Sequence, residues 1–336
     1  MSNYKSIAVI YGSDSSEWEV ACRSGEFTAS RIDEKYDVYE ILARFGKWSV
    51  VAVRKSNSMR VTFPEGSQPE IDKTDFSVSI LGEKGKFDYA YIMQHGRPGE
   101  NGLLQGYLEM IGVPYSSCNA FVSAVTFDKF SCKTYLRDVD FISCAPDLFV
   151  RLGADLKDVA AKVSANLKYP VFVKPTDSGS SFGITKVKCE EELESAINCA
   201  YRESPTVLIE QGVSGRELTC AAYIDGDEVK TLPIIEIVTS NEYFDYDAKY
   251  NGNSQEICPA PVSEEEKAHI QDTTAQIYRQ LGCKGLVRVD YIMGDKLWFL
   301  EVNTIPGMTS ASLVPKMVRT AGMDMTEFLN IIIENS

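Results

Sequence analysis

Residues 285–304 alternate between apolar and polar side chains in two runs, a pattern that predicts a β-hairpin near the C-terminus. A turn at residues 294–295 joins the two runs. Because successive side chains along a strand point to opposite faces, this turn would place Asp290 opposite Phe299. Glu301 then lies one step away on the same face, a diagonal that long side chains bridge. The hairpin therefore predicts a charged cluster inside otherwise apolar strands.

The same alternation puts Arg288 and Asn303 on the charged face. Two carboxylates and an amide oxygen are hard ligands of the kind that magnesium takes, and they suit a metal that also holds nucleotide phosphates. Because buried charge needs a partner, an internal salt bridge of Arg288 with Asp290 or Glu301 explains the pattern equally well. The opposite face is expected to carry Val287, Val289, Tyr291, Leu300 and Val302.

The chain has 336 residues, of which 44% are hydrophobic and 24% charged, as in a globular protein of two or three domains. It carries 48 Asp and Glu against 34 Lys and Arg, a balance that argues against nucleic acid or an anionic membrane as the main partner. No apolar run approaches the ~18 residues of a membrane helix. Residues 7–11 have no basic region before them and no cleavage-site pattern after them, so we expect a first strand, not a signal peptide.

The nine cysteines are scattered, and none of them forms a C-x-x-C metal or redox motif. Reduced, mostly buried thiols in a cytoplasmic protein are the simplest interpretation. The two histidines, His95 and His269, lie in no context that is typical of the partner of a catalytic cysteine. We therefore expect a cytoplasmic protein that does not use cysteine catalysis.

Three stretches of different character predict three domains, at residues 1–117, 118–209 and 210–336. The first has strands at residues 6–11 and 87–94 and helices at residues 17–30 and 103–111. Gly112, with Pro114 just beyond it, ends the second helix. This order predicts an open parallel sheet that binds ligands at the carboxyl ends of its strands.

The second stretch predicts a small α+β unit with helices at residues 120–136, 156–167 and 190–201, and strands at 169–174, 184–188 and 207–210. The third predicts strands at residues 218–224 and 231–238, a helix at 264–281, the hairpin and a C-terminal helix at 325–333. The predicted fold class is therefore α/β, with α+β units.

Residues 174–183, KPTDSGSSFG, place a lysine at the end of an apolar strand and a Ser/Gly loop after it. Small residues let backbone N–H groups approach an anion, and the lysine adds a point charge. The spacing differs from a Walker A loop. By itself the pattern favours an ordinary Ser/Gly hairpin.

Residues 207–217 form a strand that crosses from one predicted domain to the next. Backbone groups at such a crossing can pair with a planar base, and Glu217 can accept hydrogen bonds from ribose hydroxyls. Alone, this segment favours a solvated linker. Residues 244–250 are aromatic, charged and non-periodic, which is typical either of a functional loop or of a structural aromatic loop.

Residues 301–312 begin with two candidate metal ligands, turn at a Pro-Gly pair, and continue with Ser and Thr residues. Such a turn can expose backbone N–H groups toward an anion. Fixed donors of this kind stabilise a developing oxyanion by roughly 3–4 kcal/mol each.

Taken together, these segments resemble the ATP-grasp superfamily and, within it, the D-alanine–D-alanine ligase family. The motifs stand in that family's order at residues 95–105, 127–129, 174–183, 244–250, 288–290 and 301–313. The resemblance covers nearly the whole chain, although residues 40–85 contribute little. It implies an ATP-grasp fold in which two α+β domains clasp ATP beside the N-terminal sheet.

The resemblance also implies the residues that bind ATP. The residues implied to bind the phosphates are Lys129 and Lys174, and Lys249 is implied to reach the γ-phosphate. A loop that contains Ser181, Phe182 and Gly183 is implied to close over the phosphates. Those for the nucleoside are Glu210, Gln211 and Val213 around adenine, and Glu217 at the ribose. The implied metal ligands, for two Mg²⁺ or Mn²⁺ ions, are Asp290, Glu301 and Asn303, and a monovalent cation is a further candidate.

For the substrates, the resemblance implies that Glu17 pairs with the ammonium of the first D-alanine and forms a hydrogen-bonded set with Ser180 and Tyr250. Arg288 and the Gly307 N–H are implied to stabilise the oxyanion. Ser312 and Leu313 are implied to bind the second D-alanine. The implied lining of the amino-acid pocket includes His95 and Glu100. His95 in a packed structural role is the alternative.

The implied reaction converts a carboxylate into an acyl phosphate at the expense of ATP, after which a second amino group displaces phosphate. Because acyl phosphates hydrolyse, the loops at residues 180–183 and 241–254 are expected to exclude water. Tyr250 favours a dipeptide product, for peptidoglycan precursors, over ligation to D-serine or D-lactate. A non-catalytic nucleotide-binding protein and another ATP-grasp ligase are the remaining alternatives. The family also suggests a homodimer.

Overall fold

The structure is a computed structural model that describes residues 4–179, 181–239 and 254–336. Its first sheet is built around strand β1. Chain order runs β1 (Ser6–Tyr11), β2 (Asp37–Arg44), β3 (Lys47–Arg54), β4 (Arg60–Thr62), β5 (Ile71–Asp72), β6 (Ser77–Ile80), β7 (Glu83–Lys86) and β8 (Tyr89–Ile92). The sheet order is β4-β3-β2-β1-β8, while β5, β6 and β7 pair separately.

The predicted parallel sheet is only partly correct, since β1 is parallel to β2 and β8 but β2, β3 and β4 are antiparallel. Phe45 and Gly46 explain the difference, because both have positive φ and together form the two-residue connection between β2 and β3. So short a connection closes an antiparallel hairpin, whereas a parallel pair needs a long crossover.

Helix α1 (Trp18–Arg31) lies between β1 and β2, and three helices follow β8: α2 (Leu103–Ile111), α3 (Ala120–Phe127) and α4 (Lys129–Leu136). The predicted end of α2 at Gly112 is confirmed, and Gly112 adopts φ 71° as a helix-ending glycine does. The predicted single helix at residues 120–136 is wrong. Asp128 interrupts it with extended backbone, and its side chain accepts a hydrogen bond from Ser131 N at 2.7 Å, so it caps a new helix.

A four-stranded antiparallel sheet forms the middle of the chain. It contains β10 (Asp147–Arg151), β11 (Val171–Pro175), β12 (Thr185–Val187) and β13 (Thr206–Gln211) in the order β10-β13-β11-β12, whereas the preceding β9 (Ser143–Cys144) joins the next sheet. Helices α5 (Leu156–Asn166) and α6 (Leu193–Ala200) pack on it through a core that includes Val163, Val173, Ile197 and Ile209.

The C-terminal sheet is the largest. Its strands are β14 (Arg216–Asp225), β15 (Glu228–Thr231), β16 (Ile235–Thr239), β17 (Ser254–Ile257), β18 (Leu286–Met293) and β19 (Leu297–Asn303), in the order β17-β16-β14-β18-β19-β9 with β15 beside β14. The predicted strand at residues 231–238 is two strands, with Pro233 in the gap, where a residue without an N–H interrupts pairing.

Among the described residues, three helices follow β16: α7 (Glu264–Leu281), α8 (Leu313–Thr320) and α9 (Met325–Glu334). Ser263 and Glu266 form a capping box at the start of α7. Val314 of α8 and Phe328 of α9 belong to the same hydrophobic core as Ile10 of β1. The two ends of the chain are therefore packed together, which places the segment before α8 against the N-terminal sheet.

The hairpin β18–β19 forms, but the predicted register is wrong. Asp290 pairs with Glu301 and Tyr291 pairs with Phe299, because the register shifts between Asp290 and Tyr291. Leu300 is the extra residue of this β-bulge. Phe299 consequently enters the core in the place expected for Leu300. The structure has no helix, within its described residues, that is both long and apolar enough to cross a membrane.

Candidate active site

A cavity of about 280 Å³ lies where the three sheets meet. Predicted site residues from all three parts of the chain line it. They are Glu17, His95, Glu100, Lys129, Arg288, Glu301, Asn303, Gly307, Ser312 and Leu313. Residues far apart in sequence thus surround one space.

Glu17 lies directly before α1, in a loop that small side chains hold. Ser15 Oγ accepts a hydrogen bond from Glu17 N at 3.2 Å and lies 2.8 Å from Ser13 Oγ. Gly179 of the Ser/Gly loop packs against the carboxylate so closely that an added Cβ would lie 2.2 Å from Glu17 Oε2. The Ser/Gly loop therefore reaches the N-terminal side of the cavity because glycine stands at that point.

His95 lines the cavity and is also packed, with 5% of its surface exposed. Its Nδ1 lies 3.0 Å from the carbonyl oxygen of Ile305, and its Nε2 lies 2.9 Å from Ser24 Oγ. Burial, with a smaller contribution from the Arg288 charge, lowers the pKa of His95, although the nearby Glu17 opposes the shift. The ring is therefore neutral near pH 7.

Glu100 accepts a hydrogen bond from the backbone N–H of Gly96 at 2.7 Å, and the N–H of Ile305 lies beside the same carboxylate. Burial, followed by the charge of Glu17, raises the pKa of Glu100 to about 8. This wall of the cavity can therefore hold a protonated carboxyl group near neutral pH.

The charged face of the hairpin is an ordered polar cluster around Asp290. Arg288 donates from Nε and Nη2 to the two Asp290 oxygens at 2.9 and 2.8 Å. Asn303 Nδ2 and Thr219 Oγ1 donate to the same carboxylate at 3.1 and 2.6 Å. The salt bridge considered from the sequence is thus present, and the predicted metal ligands are gathered beside it.

Lys129 connects this cluster to α4, since its Nζ lies 3.3 Å from Glu301 Oε2 and donates to the carbonyl oxygen of Ser178 at 2.8 Å. Two partly buried carboxylates and an amide are hard oxygen donors suited to magnesium. Within the described residues no cluster of three or more His, Cys, Asp or Glu side chains is arranged for a metal. The metal ligands predicted from the sequence are two carboxylates and one amide, so they do not by themselves make such a cluster.

A second ionic cluster lies on the face of the middle sheet opposite to the core that contains Val173 and Ile209. Glu210 accepts from Lys174 Nζ and from Lys133 Nζ, each at 2.5 Å, and Lys133 also contacts Asp147 at 2.7 Å. Burial favours a raised pKa for Glu210, but Lys174 and Lys133 outweigh it and lower the pKa. Lys174 is not among the residues that line the cavity, and its ammonium group donates to Glu210.

The other predicted nucleotide residues lie at the junction of the middle and C-terminal sheets. Gln211 ends β13, its N–H donates to the carbonyl oxygen of Pro146 at 2.9 Å, and its side chain accepts from Lys168 N at 3.2 Å. Val213 is half-buried in the connection to β14, where Glu217 pairs with Ile292. Gln211, Val213 and Glu217 therefore lie along one side of this junction.

The Ser/Gly loop turns sharply after Gly179. Ser181 adopts φ 60° and Gly183 φ 71°, and Phe182 N donates to the carbonyl oxygen of Gly179 at 3.1 Å. The predicted residues Ser180, Lys249 and Tyr250, together with residues 240–253 as a whole, lie outside the described residues.

Sequence reasoning missed several residues that the structure brings to this region. Lys133 lies four residues after Lys129, so both are on one helix face, and this spacing was the one weak indication that Lys133 belongs to the site. Thr219 is found only once β14 is known to pair with β18. Arg97 and Asp177 form an ion pair between the two loops that flank Glu17, and nothing local predicts their contact.

A cavity between separate sheets that is lined by Lys129, Arg288 and Glu301 is typical of an ATP-grasp ligase. Models of the "D-ala D-ala ligase N-terminus" and the "D-ala D-ala ligase C-terminus" match residues 6–118 and 144–334. The chain therefore belongs to the D-alanine–D-alanine ligase family, whose members are ATP-dependent ligases. The prediction of the family is confirmed.

Curated relatives agree with this assignment. The D-alanine–D-alanine ligase of Phocaeicola vulgatus is 46% identical over 334 residues, covering 98% of this chain and 99% of the relative. The ligase of Bacteroides fragilis strain YCH46 is 43% identical, with the same coverage.

Solved structures match over nearly the full length and confirm the ATP-grasp fold. The VanG D-Ala:D-Ser ligase from Enterococcus faecalis gives a TM-score of 0.84 at 30% identity and 99% coverage of both chains. The D-alanine–D-alanine ligase from Bacillus anthracis complexed with ATP gives 0.75 at 32% identity, covering 99% of this chain and 97% of that one.

Proposed function

We propose that this protein joins two D-alanines into D-alanyl-D-alanine for peptidoglycan precursors, with an acyl phosphate as the intermediate. The observation that carries the proposal is one cavity lined by Glu17, Arg288, Glu301 and the start of α8. An ammonium-binding carboxylate, an oxyanion-binding arginine and a carboxylate-binding helix N-terminus are the three recognition elements that this ligation requires.

ATP activates the first D-alanine, because a carboxylate repels nucleophiles and has no good leaving group until it is phosphorylated. Glu17 orients the first substrate through its ammonium group. Lys129 and Lys174 offset the charge of the phosphates, and such transfers depend on positioning and charge neutralisation more than on covalent help. The residues suited to magnesium are Asp290, Glu301 and Asn303, and two bound ions would neutralise phosphate oxygens at that face.

Arg288 and the Gly307 N–H are proposed to stabilise the oxyanion that forms when the second amino group attacks. The double hydrogen bond to Asp290 fixes the orientation of the Arg288 guanidinium, so little reorganisation is needed during the reaction. A prepositioned donor of this kind contributes roughly 3–4 kcal/mol to the stability of a transition state.

The start of α8 is proposed to bind the carboxylate of the second D-alanine. Ser312 is the N-cap residue, and Leu313 is the first helical residue. Thr309 N donates to Ser312 Oγ at 2.9 Å, which fixes the preceding turn. Free N–H groups and the helix dipole make this end of a helix suitable for an anion.

The remaining expectations belong to the same proposal. Adenosine is expected at the junction of the middle and C-terminal sheets, near Glu210, Gln211, Val213 and Glu217, with residues 181–183 over the phosphates. Ser180, Lys249 and Tyr250 keep their proposed roles. We also propose three domains, at residues 1–117, 118–209 and 210–336. A cytoplasmic location, a homodimer and a monovalent-cation site complete the proposal.

The direct test is mass spectrometry of products from ATP, magnesium and a mixed pool of D-alanine, D-serine and D-lactate, with coupled measurement of ADP and phosphate. We expect D-alanyl-D-alanine as the main product. Because a solved structure of similar fold is a D-Ala:D-Ser ligase, a D-alanyl-D-serine product would select that second function. Activity with L-alanine but not with D-alanine would overturn both.

A further inference from the structure

The turn at residues 305–308 is anchored on both sides of Gly307. The carbonyl oxygen of Ile305 faces His95 Nδ1 at 3.0 Å, and the Ile305 N–H lies beside the Glu100 carboxylate. On the other side, Met308 N donates to Ser24 Oγ at 3.2 Å. The remaining backbone donor is the Gly307 N–H, since a proline at position 306 has none, and no described residue accepts a hydrogen bond from it.

Ser24 connects the two anchors, and the chemistry fixes the direction of each hydrogen bond. A carbonyl oxygen only accepts, so His95 carries its proton on Nδ1, and Nε2 is the acceptor. The Ser24 hydroxyl therefore donates to Nε2 at 2.9 Å. A hydroxyl has one donor and two acceptor sites, and one of the latter receives the Met308 N–H.

Ser24 is itself held rigidly but lies behind the cavity, not on its lining. Its side chain is completely buried in α1. The next residue, Gly25, presses the helix against Tyr11 so closely that an added Cβ would lie 2.2 Å from that ring. Ser24 therefore acts as a fixed point that touches neither substrate.

We infer that Ser24 is a positioning residue for the ligation, because its hydroxyl donates to His95 Nε2 and accepts from Met308 N, and so orients the Gly307 peptide N–H toward the oxyanion. This inference rests on the proposed function. The hydroxyl of Ser24 contributes to the transition state only through the turn, so its loss lowers the rate constant of the reaction more than it weakens the binding of ATP.

The kinetic test compares Ser24→Ala with Thr28→Val. Thr28 lies one turn further along α1, is equally buried, and its hydroxyl has no hydrogen-bond partner within the described residues. We expect Ser24→Ala to lower kcat about tenfold or more, as small displacements of catalytic groups do, while KM for ATP changes by less than about twofold and Thr28→Val retains wild-type kcat. Wild-type kcat in Ser24→Ala would overturn the inference.

A spectroscopic test does not depend on activity. The chain has two histidines, and His269 is exposed, so ¹⁵N-histidine labelling gives His95 resonances with an internal control. We expect the Nδ1–H tautomer in the wild type, and a changed His95 Nε2 shift in Ser24→Ala with His269 unaltered. An unchanged Nε2 shift would show that the hydrogen bond does not form.

These results separate the two proposals. Absence of ligation by the wild type contradicts the proposed function, whereas the spectra still test the hydrogen bonds. A changed Nε2 shift with unchanged kcat contradicts the positioning role alone. If Ser24→Ala unfolds, Ser24→Cys preserves the side-chain volume with a weaker donor, and we expect an intermediate kcat; wild-type kcat in that variant would also count against the inference.

Discussion

Asp290 and Glu301 lie directly opposite each other on β18 and β19, and the register of the hairpin shifts immediately after Asp290. Like charges in directly opposed positions are destabilising unless other groups compensate them. Arg288 compensates Asp290 and Lys129 compensates Glu301, at 2.8 and 3.3 Å. The hairpin thus holds two carboxylates side by side, and each of them has a cationic partner.

Asp290→Asn is expected to lower ligation about 100-fold or more and to raise the magnesium concentration needed for half-maximal rate, because a neutral amide binds a hard cation more weakly. Steady-state ADP release across a magnesium titration measures both quantities. Asp295→Asn, in the exposed turn of the same hairpin, is the matched control and should keep the wild-type dependence. Equal magnesium dependence in the two variants would argue against the metal site.

Arg288→Ala is expected to leave ATP binding near normal while ligation falls about 10²–10³-fold, because a fixed oxyanion donor acts in the transition state. Calorimetric ATP binding and coupled ADP release separate the two effects. Arg279→Ala, at the exposed end of α7, removes a charge away from the cavity and serves as the control. A comparable loss of ATP binding in Arg288→Ala would contradict the oxyanion role.

Lys133→Met is expected to lower the free energy of unfolding by about 3–5 kcal/mol, because it leaves the buried Glu210 and Asp147 with one cation fewer. Urea denaturation measures this loss. The exposed Lys157→Met should change stability by less than about 0.5 kcal/mol.

The same substitution is expected to raise KM for ATP, since Glu210 also holds Lys174. The lowered pKa of Glu210 means that its contribution to stability exists above the ordinary glutamate pKa and is lost in acid, as pH falls through the lowered value. Stability equal to that of the wild type would show that the cluster is dispensable.

Glu100→Gln tests the raised pKa of Glu100. Folding favours the protonated carboxyl, so the wild type loses stability as pH rises from the ordinary glutamate pKa of about 4.3 through its folded pKa of about 8. A glutamine stays neutral and keeps a carbonyl acceptor for the Gly96 N–H.

The advantage of the variant in unfolding free energy should therefore grow between about pH 5 and about pH 9. Urea denaturation at several pH values measures it, with the exposed Glu194→Gln as control. A difference between Glu100→Gln and the wild type that is independent of pH would contradict the raised pKa.

Much of the local structure could be predicted because its causes are neighbours in sequence. The helix end at Gly112 is confirmed because a left-handed residue is needed there, and glycine adopts that conformation without strain. The helix break at Asp128 was missed, since a capping aspartate in an otherwise helical run looks like any other polar residue. The bulge at Leu300 was also missed, because strict alternation describes an uninterrupted strand.

The sequence by itself determined the family, the reaction class and the set of candidate residues. Each motif is a short run of residues whose chemistry, and whose order along the chain, can be read directly from the sequence. Only the tertiary structure decided which side chains cooperate. Ser24 meets Met308 across 284 positions, and Lys133 meets Glu210 across 77. Such contacts depend on how separate sheets and helices pack against one another, and packing between distant segments leaves no periodic pattern in either of them.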